Sequence, residues 1–174
     1  MHFAFRVVSC AAVAGFMASS TWAAGELPPP VFAIKQAVPT TGSNIARRVV
    51  TSSQIPINRR YGELTREEQD VVKAGYEAMM PLDEPPYPAD GLVPMFEAVR
   101  EIQRKLLAQG ELTMFVDVDP QGRATSVSVL KSPDAKLTQA VANVLMLTKY
   151  KPAVCGGQAC RMSYPFRMTF TVDH

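Results

Sequence analysis

Three patterns in the last third of this chain, Gly110–Val172, predict an α+β fold. The first is a pair of alternating strands around a tight turn, the second a capped amphipathic helix. The third is a final strand that alternates apolar and polar residues along its whole length. A strand repeats its faces every second residue and a helix every 3.6, so the two patterns do not substitute for one another. Laying the helix on the apolar face of the strands gives a small β-β-α-β domain, a three-stranded antiparallel sheet packed on a helix, with a helical segment before it.

Taken in order, residues 1–23 read as a secretory leader. Arg6 supplies the positive start, Val7–Ser20 the apolar run, and Thr21-Trp22-Ala23 a small-x-small cleavage site between Ala23 and Ala24. The run is shorter than the roughly 20 residues a spanning helix needs. A cleaved leader and a periplasmic location are therefore expected, with retention as an inner-membrane anchor the alternative. Val7-Val8-Ser9-Cys10 has the look of a lipoprotein processing box, but too little apolar sequence precedes Cys10 for that use.

Residues 24–61 hold Pro28, Pro29, Pro30, Pro39 and Pro56 among Ser, Thr, Gly and Asn, and read as an extended linker or arm. Val49-Val50 and Ile55-Pro56-Ile57 are its candidates for lying along a groove or a sheet edge; extended coil is the simpler reading. Residues 62–88 carry a short helix and a Pro-rich joint. Thr65 and Glu68 have capping-box spacing, and Val71, Val72, Gly75 and Met79 make a narrow apolar stripe that ends before Pro81. Met79-Met80 is expected to anchor this helix on the main domain. Pro85, Pro86 and Pro88 stiffen the joint in extended form.

Residues 89–174 are the main domain with its leading helix, expected over about Gly91–Gln109. Asp90 is its candidate cap, Pro94 is tolerated in the first turn, Phe96, Val99, Ile102 and Leu106 form the buried stripe, and Gly110 stops it. Leu112, Met114, Val116 and Val118 then alternate with Thr113, Phe115, Asp117 and Asp119. Asp119-Pro120-Gln121-Gly122 supplies turn chemistry, and Ala124–Ser132 returns with Val127 and Val129 on one face. Ser132-Pro133-Asp134 starts the next helix, with the Ser132 hydroxyl as cap. Leu137, Val141, Val144, Leu145 and Thr148 follow at helical spacing, and Lys149 and Lys151 sit near the negative end of its dipole. In the last strand Met162, Tyr164, Phe166, Met168, Phe170 and Val172 alternate with Arg161, Ser163, Pro165, Arg167, Thr169 and Thr171.

These residues resemble the C-terminal domain of the TonB family of energy transducers. The likeness rests on Gly110 before the first strand, the Asp119-to-Gly122 turn and Val129-Leu130-Lys131-Ser132. It continues through Tyr150-Lys151-Pro152-Ala153 to Pro165 with Phe166 and Phe170, and Pro86-Tyr87-Pro88 matches the Tyr-Pro that precedes the domain. The resemblance implies a protein-binding module whose last strand offers its edge to a short extended segment of an outer-membrane transporter. Arg161, Ser163, Tyr164, Arg167, Thr169 and Thr171 are then the candidate partner-binding residues, and pairing of two copies through sheet edges is a further expectation. The chain departs from a working transducer in its cleavable-looking leader, in the lack of a His within the apolar run, and in having only Glu84-Pro85 in place of a long Glu-Pro and Lys-Pro spacer.

Other chemistry finds little support. A net charge of +2 is too balanced to argue for nucleic acid or an anionic surface. Removal of the leader would leave no His before His174, so Ser or Cys hydrolysis lacks a base and a zinc site lacks ligands. Asp117 and Asp119 read as a solvated pair beside a turn, not as a calcium loop. No enzyme activity, metal or cofactor is expected. Cys155 and Cys160 are an even pair for an oxidising compartment, and a structural disulfide is expected; their spacing is not the C-x-x-C of redox enzymes, which leaves a thiol-redox role as the weaker alternative.

The function expected is thus a soluble periplasmic interaction module, an adaptor or auxiliary to TonB-dependent transport. The alternative is a membrane-anchored transducer.

Overall fold

The computed structural model describes residues 34–36 and 55–172. The leader with its Ala23–Ala24 junction, Cys10, Val49-Val50 and His174 lie outside the described residues.

The first strand, β1 (Ile34–Gln36), comes from the arm. A 3-10 turn at Tyr61–Glu63 leads into α1 (Arg66–Lys73). The expected capping box forms: Thr65 Oγ1 accepts from Glu68 N at 3.3 Å, and Glu68 Oε2 accepts from Thr65 N at 2.8 Å. α1 is shorter than its apolar stripe suggested and ends at Ala74. Tyr76, just beyond it, is the buried anchor, whereas Met80 is exposed. The Pro joint is part of the core: Pro85, Pro86, Tyr87 and Pro88 are all buried, and β2 (Tyr87–Pro88) pairs with β5 (Tyr150–Lys151).

α2 spans Val93–Leu106. Its first free N–H groups are met by a carbonyl from the arm, with Leu92 N and Val93 N donating to Ile57 O at 2.8 and 3.0 Å. Asp90 therefore is not the cap; it forms an exposed ion pair with Arg60. The buried positions are Met95 and Val99, with Phe96 and Ile102 half-buried, and Leu106 faces outward. Leu107, at φ 48°, ends the helix in the left-handed region. Gly110 opens the next strand instead of stopping the helix, at φ 123° and so close to Pro133 that a Cβ would lie 2.9 Å from that residue's Cβ.

β3 (Gly110–Val118) and β4 (Ala124–Lys131) form the predicted hairpin. Its turn leaves no room at Gly122, which sits at φ 77° where an added Cβ would meet Tyr150 O at 2.0 Å. α3 (Ala135–Leu147) is capped by Asp134, which accepts from Leu137 N at 2.8 Å, rather than by Ser132, whose hydroxyl bonds Thr138 and Asp134 O. Lys151 is drawn away from the end of α3. It pairs with Glu84 at 2.8 Å and lies 4.7 Å from the centre of the Tyr61 ring.

The Cys-bracketed loop is a small hairpin, β6 (Ala153–Cys155) and β7 (Gln158–Cys160), with Gly156 and Gly157 both at positive φ in the two-residue turn. β8 (Met162–Phe170) completes the fold.

The main sheet has the order β1-β4-β3-β8, antiparallel except for β1, which runs parallel to β4. The expected three strands are present, and the arm adds a fourth at the β4 edge. α3 lies on β3 and β4, and α2 packs against α3. Between these layers Leu112, Met114, Val116, Val118, Val127, Leu137, Val141 and Leu145 are wholly buried. At roughly 1.5–3 kcal/mol for each fully buried aliphatic side chain, this layer is the main source of stability.

Candidate partner-binding edge

β8 is the site the sequence pointed to, and its geometry follows from its alternation. Tyr164, Phe166 and Phe170 turn into the core, so Ser163, Pro165, Arg167 and Thr169 lie on the opposite, open face. β3 pairs with β8 along nine consecutive positions, from Gly110↔Phe170 to Val118↔Met162. Among the described residues no strand pairs with the other side of β8. Pro165 stands opposite Phe115. A proline has no N–H to give to a ladder, and a strand tolerates it where that nitrogen faces away from the neighbour. Alternation then directs the N–H groups of Ser163, Arg167 and Thr169 to the outer side as well, on the two flanks of the gap left by Pro165.

The candidate residues divide by environment. Tyr164 is buried, its ring centroid 5.3 Å from that of Tyr150, and its backbone, one residue out of step with Ser163 and Pro165, turns to β3, so it serves the core and not the outer edge. Thr169 is exposed and Arg167 half-buried on the open face. Thr171 lies just past β8, where its carbonyl accepts from Gln103 Nε2 at 3.3 Å, tying the strand's end to α2. Arg161 precedes β8 and joins a network centred on Asp117. That carboxylate accepts from Ser163 Oγ at 2.7 Å, Ser126 Oγ at 2.8 Å and the Arg161 guanidinium at 3.1 Å.

Asp117 therefore links all three antiparallel strands across the open face, a role that the solvated-pair reading of the sequence missed. Burial alone would raise its carboxyl, but donation from Ser163 and Ser126 and the Arg161 charge prevail and hold it below the usual carboxylate range. Asp119 has a separate task. It accepts from Arg123 N and Gln121 N at 2.9 Å and from Arg123 Nε at 2.8 Å, so the turn is built around it, and these bonds lower its carboxyl too. Spacing could not separate the two roles, because the partners come from β4, β8 and the turn.

Cys155 and Cys160 are joined as a disulfide across the β6–β7 hairpin, with Cα atoms 5.8 Å apart. The hairpin is held to the joint by Gly156 N donating to Asp83 Oδ1 at 2.9 Å, and by Glu84 and Val154 exchanging backbone bonds at 2.8 and 2.9 Å. No helix among the described residues is long and apolar enough to cross a membrane.

A helix-backed antiparallel sheet with a long strand at its margin is an architecture whose edge has the backbone groups to accept an extended segment. Residues 101–172 match the family model for the Gram-negative bacterial TonB protein C-terminal. The chain thus carries a TonB C-terminal-like domain, of a family of envelope-associated, transport-related interaction modules. No curated protein matches the chain.

Proposed function

We propose that this chain is a periplasmic interaction module that takes an extended segment of a partner protein onto the outer edge of β8, serving as an envelope adaptor or an auxiliary to TonB-dependent transport. The supporting observation is the position of β8. It is a nine-residue strand at the margin of the sheet, held to β3 on one side. Backbone bonds would supply the affinity and the open-face side chains the selectivity. Arg161, Ser163, Arg167, Thr169 and Thr171 would supply those side chains, while Tyr164 serves the core. A partner of this class is the periplasm-facing extended segment of a TonB-dependent outer-membrane receptor.

Amide hydrogen exchange on the chain mixed with such receptor peptides tests this directly. Slowed exchange at Ser163 and Thr169, abolished by Thr169→Pro, is the expected result. Protection confined to other elements, or none at saturating peptide, would reject the β8 edge as the site. A second reading keeps the apolar run Val7–Ala24 as an inner-membrane anchor and makes the chain a force transducer. The N-terminus of the protein recovered from a fractionated envelope separates the two: a chain starting at Ala24 in the soluble periplasmic fraction supports the adaptor, and an intact chain in the inner membrane supports the transducer.

A further inference from the structure

The sheet has two margins, and they are protected differently. A bare strand edge invites pairing with another chain, and proteins blunt it with proline, charge, bulges or a covering segment. β8 carries Pro165 at its centre and Arg167 beside it, with Arg161 just ahead of the strand. β4 has no proline, and its only charge is Lys131 at the end. Its pairing with β3 is irregular near both ends, where Thr125 and Leu130 have no partner in the β3 register. Between them lies a regular stretch, Ser126–Val129, that is uncharged and rich in β-formers. β1 covers this stretch almost residue for residue, with Ile34, Lys35 and Gln36 opposite Val127, Ser128 and Val129.

We infer that Ile34–Gln36 is an edge cap, a strand held in place to keep β4 from pairing with β4 of a second copy of this chain. Three residues laid parallel add little to the stability of the sheet, since short parallel pairs are the weaker kind of ladder. Their position on the one unguarded stretch gives them a use in specificity instead. The occupant that replaces a lost cap is the same stretch of a second molecule. Antiparallel pairing on a two-fold through Ser128 sets Val127 against Val129 and brings no charge against like charge. It joins two sheets into one continuous sheet. The inference does not depend on what binds at β8.

The test is Lys35→Pro in the full chain, which removes the central N–H of the cap. Sedimentation velocity over a concentration series is the readout. The native chain is expected to remain monomeric and Lys35→Pro to shift reversibly toward twice the mass as concentration rises. Adding Ser128→Lys, which places like charges opposite one another in the pairing, is expected to return the variant to the monomer. A Lys35→Pro chain that stays monomeric throughout overturns the inference. So does a dimer that Ser128→Lys leaves intact, or a native chain that already pairs through β4. Should Lys35→Pro fail to fold, Lys35→Gly weakens the same strand through backbone entropy, and the same outcomes decide.

Discussion

At the scale of single residues, the positions that define this molecule are those whose backbone or charge is constrained by several elements at once. Leu107 adopts φ 48° with its side chain 62% exposed, so it carries the steric cost of the left-handed region with little burial in return. Leu107→Gly is expected to raise stability by about 1 kcal/mol, read as a higher denaturant midpoint at unchanged slope. Asp117 is the opposite case, where position is set by function in the fold. Its carboxylate is held below the usual range, so its contribution to stability is present above about pH 4 and is lost as pH falls through the lowered folded value.

At the scale of elements, each helix and hairpin has its ends fixed by something specific. α1 has its capping box, α2 the Ile57 carbonyl and α3 the Asp134 carboxylate. The β6–β7 hairpin has two glycines in the turn and a disulfide closing a sequence separation of 5. Closure of so short a loop stabilises by about 2 kcal/mol on chain-entropy grounds. Replacing both cysteines by serine is accordingly expected to lower the melting temperature by several degrees while leaving the far-UV spectrum unchanged, because the main sheet is built without this hairpin. Collapse of the whole fold on reduction would show instead that the hairpin, through Asp83 and Glu84, organises the Pro joint.

At the scale of the whole molecule, five tyrosines gather between the joint, the helices and the sheet. Tyr61, Tyr76, Tyr87, Tyr150 and Tyr164 are all buried. Burial pushes every one of these phenols upward, Tyr87 to about 12 and the other four well above the usual phenol range. The unfolded chain loses these protons near pH 10, whereas the folded chain keeps them. Their contribution is therefore complete below about pH 10 and is lost as pH rises through the folded values. The denaturant midpoint is expected to hold up to pH 10 and to fall steeply toward pH 12, with tyrosinate absorbance rising only as the chain unfolds. A gradual rise in the folded state at pH 10 would place these hydroxyls in contact with solvent.

The sequence by itself determined the local and periodic features. The β3–β4 hairpin, the α3 stripe, the Thr65–Glu68 box, the alternation of β8 and the Cys155–Cys160 pair all follow from short-range steric and hydrogen-bonding rules that neighbouring residues satisfy on their own. What only the tertiary structure decided concerns partners distant along the chain. Ile57 caps α2 in place of Asp90, Tyr76 and the Pro85–Pro88 stretch enter the core, and Asp117 gathers donors from two other strands. Tyr164 is claimed by the core, which leaves its side chain unavailable at the binding edge. The arm reaches β4 across nearly ninety intervening residues, from Gln36 to Ala124, a parallel pairing with no turn signal to announce it. Such contacts are selected by burial and by the need to satisfy backbone groups in three dimensions, and neither leaves a period in the sequence.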